Sequence, residues 1–116
     1  MDGCVFCKIA QKKIKSDILY EDDFVLAFLD NDPVSKNHAL IIPKSHYENI
    51  FDVPKEELMN VVFVAKELAL KYKKDWGVSD VNLLNASGKN AQQSVFHFHF
   101  HLVPRHENDG LNLWLK

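Results

Sequence analysis

The chain has 116 residues, 47% of them hydrophobic and 26% charged, with a formal net charge of −2 at pH 7. That suits one domain, 1–116, with a single core, and the small size makes a homodimer attractive. A near-neutral balance gives no general attraction to nucleic acid or to an anionic membrane, so any phosphate site must be local. No apolar run approaches the ~20 residues of a spanning helix. No secretory pattern opens the chain, so the expected compartment is the cytoplasm.

Cys4 and Cys7 form a C-x-x-C, which a reducing compartment keeps as thiols. They lie in a stretch, 4–10, whose Val5, Phe6 and Ile9 suit a short N-terminal helix. Two strands follow, Ile18–Glu21 and 24–30, joined tightly through Asp22-Asp23. Asp30-Asn31-Asp32-Pro33 reads as a turn, because Asn and Asp mimic turn hydrogen bonds and proline cannot extend a ladder. A third strand, 38–42, is stopped by Pro43.

The spacing then predicts one long helix. Asp52 or a neighbour caps it, Pro54 suits its first turn, and Gly77 lies just beyond its end. Glu56 and Glu57 near the start and Lys71, Lys73 and Lys74 near the end complement the macrodipole. Leu58, Val61, Val62, Ala65, Leu68, Ala69 and Tyr72 form one apolar stripe. Met59, Phe63 and Leu70 form a second, well round the cylinder, which suits a partner surface. Strands at 81–86 and 95–103 complete the chain, with a loop at 88–91. Strands, one long helix, then two strands make an α+β fold with a mainly antiparallel sheet of five strands.

The last strand carries the chemistry. In Ser94-Val95-Phe96-His97-Phe98-His99-Phe100-His101-Leu102-Val103, three of the six histidines alternate with phenylalanines. Period 2 puts His97, His99 and His101 on one face and Phe96, Phe98, Phe100 and Leu102 behind it. At roughly 3.3 Å per residue, His97 and His101 start about 13 Å apart, so an unbent strand cannot bring all three to one metal. A working imidazole flanked by two that hold an anionic group such as phosphate suits the geometry better. The middle residue, His99, is then the best nucleophile.

The stretch from Gln93 to Val103 resembles the signature of the histidine-triad (HIT) superfamily, His-φ-His-φ-His-φ-φ with φ apolar. The resemblance, to bacterial-type members with an N-terminal C-x-x-C, extends over nearly the full chain. It implies a five-stranded antiparallel sheet with a packed helix, pairing into a ten-stranded sheet in a homodimer. It implies a nucleotide hydrolase in which His99 becomes nucleotidylated and water cleaves the intermediate. His101 would hold phosphate oxygens, Ser94 would contact the phosphate and the leaving atom, and His38 would support the triad, with His97 as its first member. Asp30 matches the acid that binds ribose hydroxyls, beside Asn31. Asn85 and Gln93 match residues of the phosphate region, and Phe6, Ile9 and Phe28 match the apolar base pocket. Cys4, Cys7, the His46 of Pro43-Lys44-Ser45-His46, and His97 would form a structural zinc site. Trp114 lies in a segment that reaches the partner's pocket in similar proteins.

Two departures stand out: Gln92 occupies a position that is usually glycine, and Asn31 one that is often apolar. Purine phosphoramidates are the leading substrate class, and dinucleoside polyphosphates the runner-up. A nucleotide-binding regulatory protein with weak catalysis, and a metalloenzyme using His97 and His99 around an open metal, are the competing classes.

Overall fold

The computed structural model describes residues 3–115. Among them a short helix, α1 (Val5–Ala10), precedes strands β1 (Ile18–Glu21), β2 (Val25–Leu29) and β3 (Ala39–Pro43). The long helix α2 (Lys55–Trp76) follows, then β4 (Asp80–Leu84) and β5 (Phe100–Arg105). The strands form one five-stranded sheet in the order β1-β2-β3-β5-β4, with every neighbouring pair antiparallel. The α+β expectation of five strands, one long helix and one short one is met.

The central strands are buried on both faces, which is why they read as continuous apolar runs. Val25, Ala27, Ala39 and Ile41 pack against Val61, Val64, Ala65, Leu68 and Tyr72 of α2. The alternate residues Leu26, Phe28, Leu40 and Ile42 pack against Phe6 and Ile9 of α1 on the opposite face. Each fully buried side chain of this size stabilises the fold by about 1.5–3 kcal/mol relative to exposure.

Helix α2 ends as its sequence requires. Gly77 takes the left-handed conformation (φ 67°), its N–H bonds Lys73 O, and the next N–H, of Val78, reaches Tyr72 O. The Gly77 bond to Lys73 is the αL type of helix end, with Val78 buried beneath it. At the start, Pro54 itself occupies the capping position and no side chain caps the helix. Asp52 instead accepts the N–H groups of Glu48 (3.0 Å) and Asn49 (2.9 Å), closing its own turn. The inner stripe also differs by one residue: Val64 is buried, while Val62 is 40% exposed and joins Met59, Phe63 and Leu70 on the outer face.

The last strand begins later than the alternation suggests. Its ladder starts at Phe100 and runs through Pro104 to Arg105, while residues 95–99 bend away from β3. The reason is where their main-chain groups go. Val95 O accepts from Gln93 Nε2 (3.0 Å), His97 O from His99 Nδ1 (2.8 Å) and His99 O from Asn85 Nδ2 (2.8 Å). The Phe98 N–H goes to Tyr47 O (2.6 Å). Alternation survives the bend, since Phe98 and Leu102 enter the α2 core. Phe96 does not pack behind the histidines; it is 43% exposed. Pro43 lies inside β3 rather than beyond it, Phe24 lies outside β2, and β4 ends at Leu84, so Asn85 is free of the ladder.

Gly88 (φ 101°) and Gln92 (φ 68°, ψ 31°) bracket the turn that delivers the bent segment. A left-handed conformation costs an L-residue about 1–2 kcal/mol, against about 0.5–1 kcal/mol of extra chain entropy lost by glycine. Gln92→Gly should therefore stabilise the fold by ~1 kcal/mol or less, seen as a rise of a few degrees in Tm by calorimetry. A fall in Tm would show that the Gln92 side chain makes contacts that outweigh the backbone term.

Candidate active site and metal cluster

A cavity of about 600 Å³ opens on the α1 face of the sheet. Its apolar wall is Val5, Phe6, Ile9, Phe28, Leu40 and Val95; its polar rim includes Asp30, Asn31, Ser94, His99 and His101. Helix α1 supplies Phe6 and Ile9, the end of β2 supplies Phe28, and the bent segment and β5 supply the histidines. Phe6 meets His99 edge-on, with ring centroids 5.2 Å apart at 89°. It meets Phe28 at 5.5 Å.

The ring protons follow from the partners. The carbonyl of His97 can only accept, so His99 Nδ1 carries the proton and donates it (2.8 Å), leaving a lone pair on Nε2. His38 Nδ1 accepts the Val34 N–H (3.2 Å), so His38 Nε2–H donates to His101 Nδ1 (2.9 Å). The remaining proton of neutral His101 then sits on Nε2. Asp30 Oδ2 lies 3.6 Å from His38 Nε2. Asp30, His38 and His101 could in principle gather round a metal. The proton that Val34 forces onto His38 Nε2 occupies that position instead.

Burial keeps these rings neutral. It pushes His101 down to about 4, helped by the neighbouring His99 and His38 and opposed by Asp30. It lowers His38 and His99 too, with Asp30 again opposing.

His97 faces elsewhere. Its Nε2–H donates to Pro43 O (2.7 Å), so Nδ1 offers its lone pair to the sulfurs of Cys4 (3.3 Å) and Cys7 (3.5 Å). His46 Nδ1 lies 3.4 Å from Cys7 Sγ. The four ligating atoms lie within 4.8 Å of one another. Zinc bonds of about 2.3 Å to sulfur and 2.0–2.1 Å to nitrogen place tetrahedral S and N neighbours about 3.6 Å apart. The donor set and spacing fit zinc. Without a cation, burial and the neighbouring Cys4 raise the Cys7 thiol to about 11. His97 and His99 do not share a site, because His99 Nδ1 is spent on the His97 carbonyl.

Of the residues singled out in the sequence, Phe6, Ile9, Phe28, Asp30, Asn31, Ser94, His99 and His101 meet at the cavity. His38 stands behind His101, and Cys4, Cys7, His46 and His97 form the second cluster. The amides of Asn85 and Gln93 are bonded within the protein. Asn85 holds His99 O, and Gln93 bridges Gly88 N, Glu48 O (2.7 Å) and Val95 O. The cavity also recruits Ile14 and the polar Lys15, Ser16 and Asp17, a stretch with no periodicity to announce it. Leu40 was accessible from the alternation of β3.

The HIT domain family matches residues 11–108. The adenosine 5'-monophosphoramidase of Saccharomyces cerevisiae is 45% identical over 110 residues, 94% of this chain and 67% of that protein. A crystal structure of a HIT family protein from Bacillus anthracis superposes with a TM-score of 0.92 at 44% identity, covering 99% of this chain and 82% of that one. A zinc-bound histidine triad family protein from Mycobacterium smegmatis gives 0.91 at 34% identity, covering 97% and 81%.

Rings held neutral in the folded state bind protons on unfolding, so the unfolded chain carries more protons just below the ordinary histidine value. For His101, lowered from 6.5 to about 4, stability is complete above 6.5 and is lost as pH falls toward 4. Tm measured across that window should drop, and His101→Gln should flatten the drop. A level Tm across it would show ordinary, solvated imidazoles.

Proposed function

The chain belongs to the HIT domain family, and we propose that it is a purine nucleotide hydrolase acting through a covalent nucleotidyl-histidine. It releases a nucleoside 5'-monophosphate from a phosphoramidate or related leaving group. The observation that carries the proposal is the proton address of His99: Nδ1–H on the His97 carbonyl, Nε2 with its lone pair at the cavity. The yeast relative's activity supports the choice of leaving group.

In this reading His99 Nε2 attacks phosphorus as the bond to the leaving nitrogen breaks, and that nitrogen takes a proton from solvent beside Ser94 and departs as the amine. The positive charge gained by the ring is stabilised through Nδ1–H by the carbonyl. His101 Nε2–H donates to a phosphate oxygen, and His38 fixes the tautomer that makes this possible. Ser94 contacts the leaving side. Asp30 accepts the ribose hydroxyls beside Asn31, and Phe6, Ile9 and Phe28 enclose the base. Asn85 and Gln93 hold the backbone on which the histidines stand. Water then cleaves the N–P bond and restores neutral His99.

Cys4, Cys7, His46 and His97 would hold zinc as a closed four-ligand set, which supplies structure and leaves no open position for substrate. The protein would act as a single-domain homodimer in the cytoplasm. No helix among the described residues is long and apolar enough to cross a membrane. The outer face of α2, with Met59 57%, Phe63 60% and Leu70 51% exposed, is the proposed interface. The edge strand β4, with Val81 and Leu83 exposed, would pair with its counterpart in such a dimer.

His99→Asn should keep the fold and nucleotide binding while losing several orders of magnitude in kcat. Rapid acid-free quenching of the wild type with labelled substrate should place label on the peptide containing His99; label elsewhere would sink the assignment. Because burial lowers His99, its attacking neutral form persists on acidification, so the acid limb of kcat/KM should fall below pH 6.5. Phe63→Glu should yield monomer by sedimentation, since it buries an unpaired charge. A wild type that sediments as monomer at micromolar concentration would remove the interface.

A further inference from the structure

We propose that the Cys4–Cys7–His46–His97 cluster is a positioning element of the nucleotide cavity that acts through α1, setting substrate affinity rather than the rate of the chemical step. The inference rests on the nucleotide-site reading above and adds a role for the cluster within it.

Helix α1 is six residues long, too short to be stable by itself. Its backbone bonds are local, such as Lys8 N–H to Cys4 O (3.1 Å) and Gln11 N–H to Cys7 O (3.0 Å). No strand pairs with it. Among the described residues its polar ties to the rest of the protein are the sulfur–imidazole contacts of Cys4 and Cys7 with His46 and His97. Yet Val5, Phe6 and Ile9, interleaved with those cysteines, build one wall of the cavity, and the Phe6 ring abuts His99. The two sulfur ligands and the wall are therefore on the same short piece of chain.

The catalytic side of the cluster is anchored independently. His97 Nε2–H holds Pro43 O at 2.7 Å, and the Phe98 N–H holds Tyr47 O at 2.6 Å. These bonds keep the His97 carbonyl under His99 Nδ1 whether or not the sulfurs are engaged. Releasing the cysteines should thus loosen the wall and spare the nucleophile's tautomer.

The test compares zinc-loaded protein, protein stripped by a chelator, and Cys4→Ser/Cys7→Ser. Adenosine monophosphate affinity is read by calorimetry, and hydrogen exchange at the Lys8 and Gln11 amides reports α1. The expected result is at least a tenfold rise in Kd and in KM, loss of protection at both amides, and kcat retained within about threefold. Phe6→Ala, which leaves every ligand in place, should reproduce the affinity loss with zinc bound. Stripping zinc from Phe6→Ala should then add less than about threefold, because both changes remove the same wall.

Unchanged affinity on stripping overturns the proposal, as does collapse of kcat with affinity retained, or additive losses in the Phe6→Ala background. Unfolding of the stripped protein also overturns it, by making the cluster a folding element. A wild type that binds the monophosphate without turnover would end the hydrolase reading and leave the affinity arm to judge this one. A wild type that does not bind it would end the nucleotide reading and leave the exchange arm to judge the tether.

Discussion

A neutral imidazole has one ring proton, and the atom that holds it decides whether the other nitrogen can act. Everything at this site depends on that constraint. Three carbonyl or amide groups of the main chain assign the protons: His97 O to His99, Pro43 O to His97, and the Val34 N–H to His38 and through it to His101. The results differ by residue. His99 and His97 each present a lone pair, on Nε2 and Nδ1, and His101 presents a donor. One repeated residue type thus offers two lone pairs and a donor, assigned by backbone partners directly or, for His101, through the His38 ring.

The fold exists in this form because those backbone groups must be available. A residue inside a ladder spends its N–H and C=O on neighbouring strands. By leaving the ladder before Phe100, residues 95–99 free the carbonyls of Val95, His97 and His99 to accept from side chains. The bend also separates the triad. It turns His97 to the cysteines beside α1, while His101 stays in the sheet beside His38. The cost is a segment held by side-chain bonds, and Gln93, nearly buried and bonded at three points, is what closes that account.

Much of this is legible in the sequence. The two apolar periodicities, the glycine after α2 and the prolines located all five strands and both helices, because each rests on local rules of spacing and capping. Alternation placed Phe98 and the histidines on opposite faces correctly even where no ladder exists, since side-chain direction follows extended backbone and not pairing. What could not be read was where main-chain groups point. Nothing in the letters marks Val34, Pro43 or Tyr47 as partners of the site, because any residue supplies the same amide. For the same reason the alternation cannot show that the ladder of β5 waits until Phe100, nor the spacing that Asp52 closes its own turn and does not cap α2. Val62 reads as part of the inner stripe and Val64 falls in neither, because both lie at the margin of that stripe and only the angle at which α2 crosses the sheet decides between them.

The electrostatics of the cavity follow from neutrality. With His101 near 4, protonating it at pH 7 would cost roughly 4 kcal/mol, at 1.36 kcal/mol per pH unit. A phosphate anion would recover part of that, but Asp30 already lies beside His38, and its field favours the charged imidazoles without making them charged. A cationic pocket would bind any polyanion and release product slowly. A cavity of neutral donors would bind phosphate through direction, with N–H groups aimed where oxygens must sit, and would leave His99 unprotonated for the attack proposed above. In the proposed reaction, charge would develop on the ring only during attack, where the His97 carbonyl is already aligned to receive it.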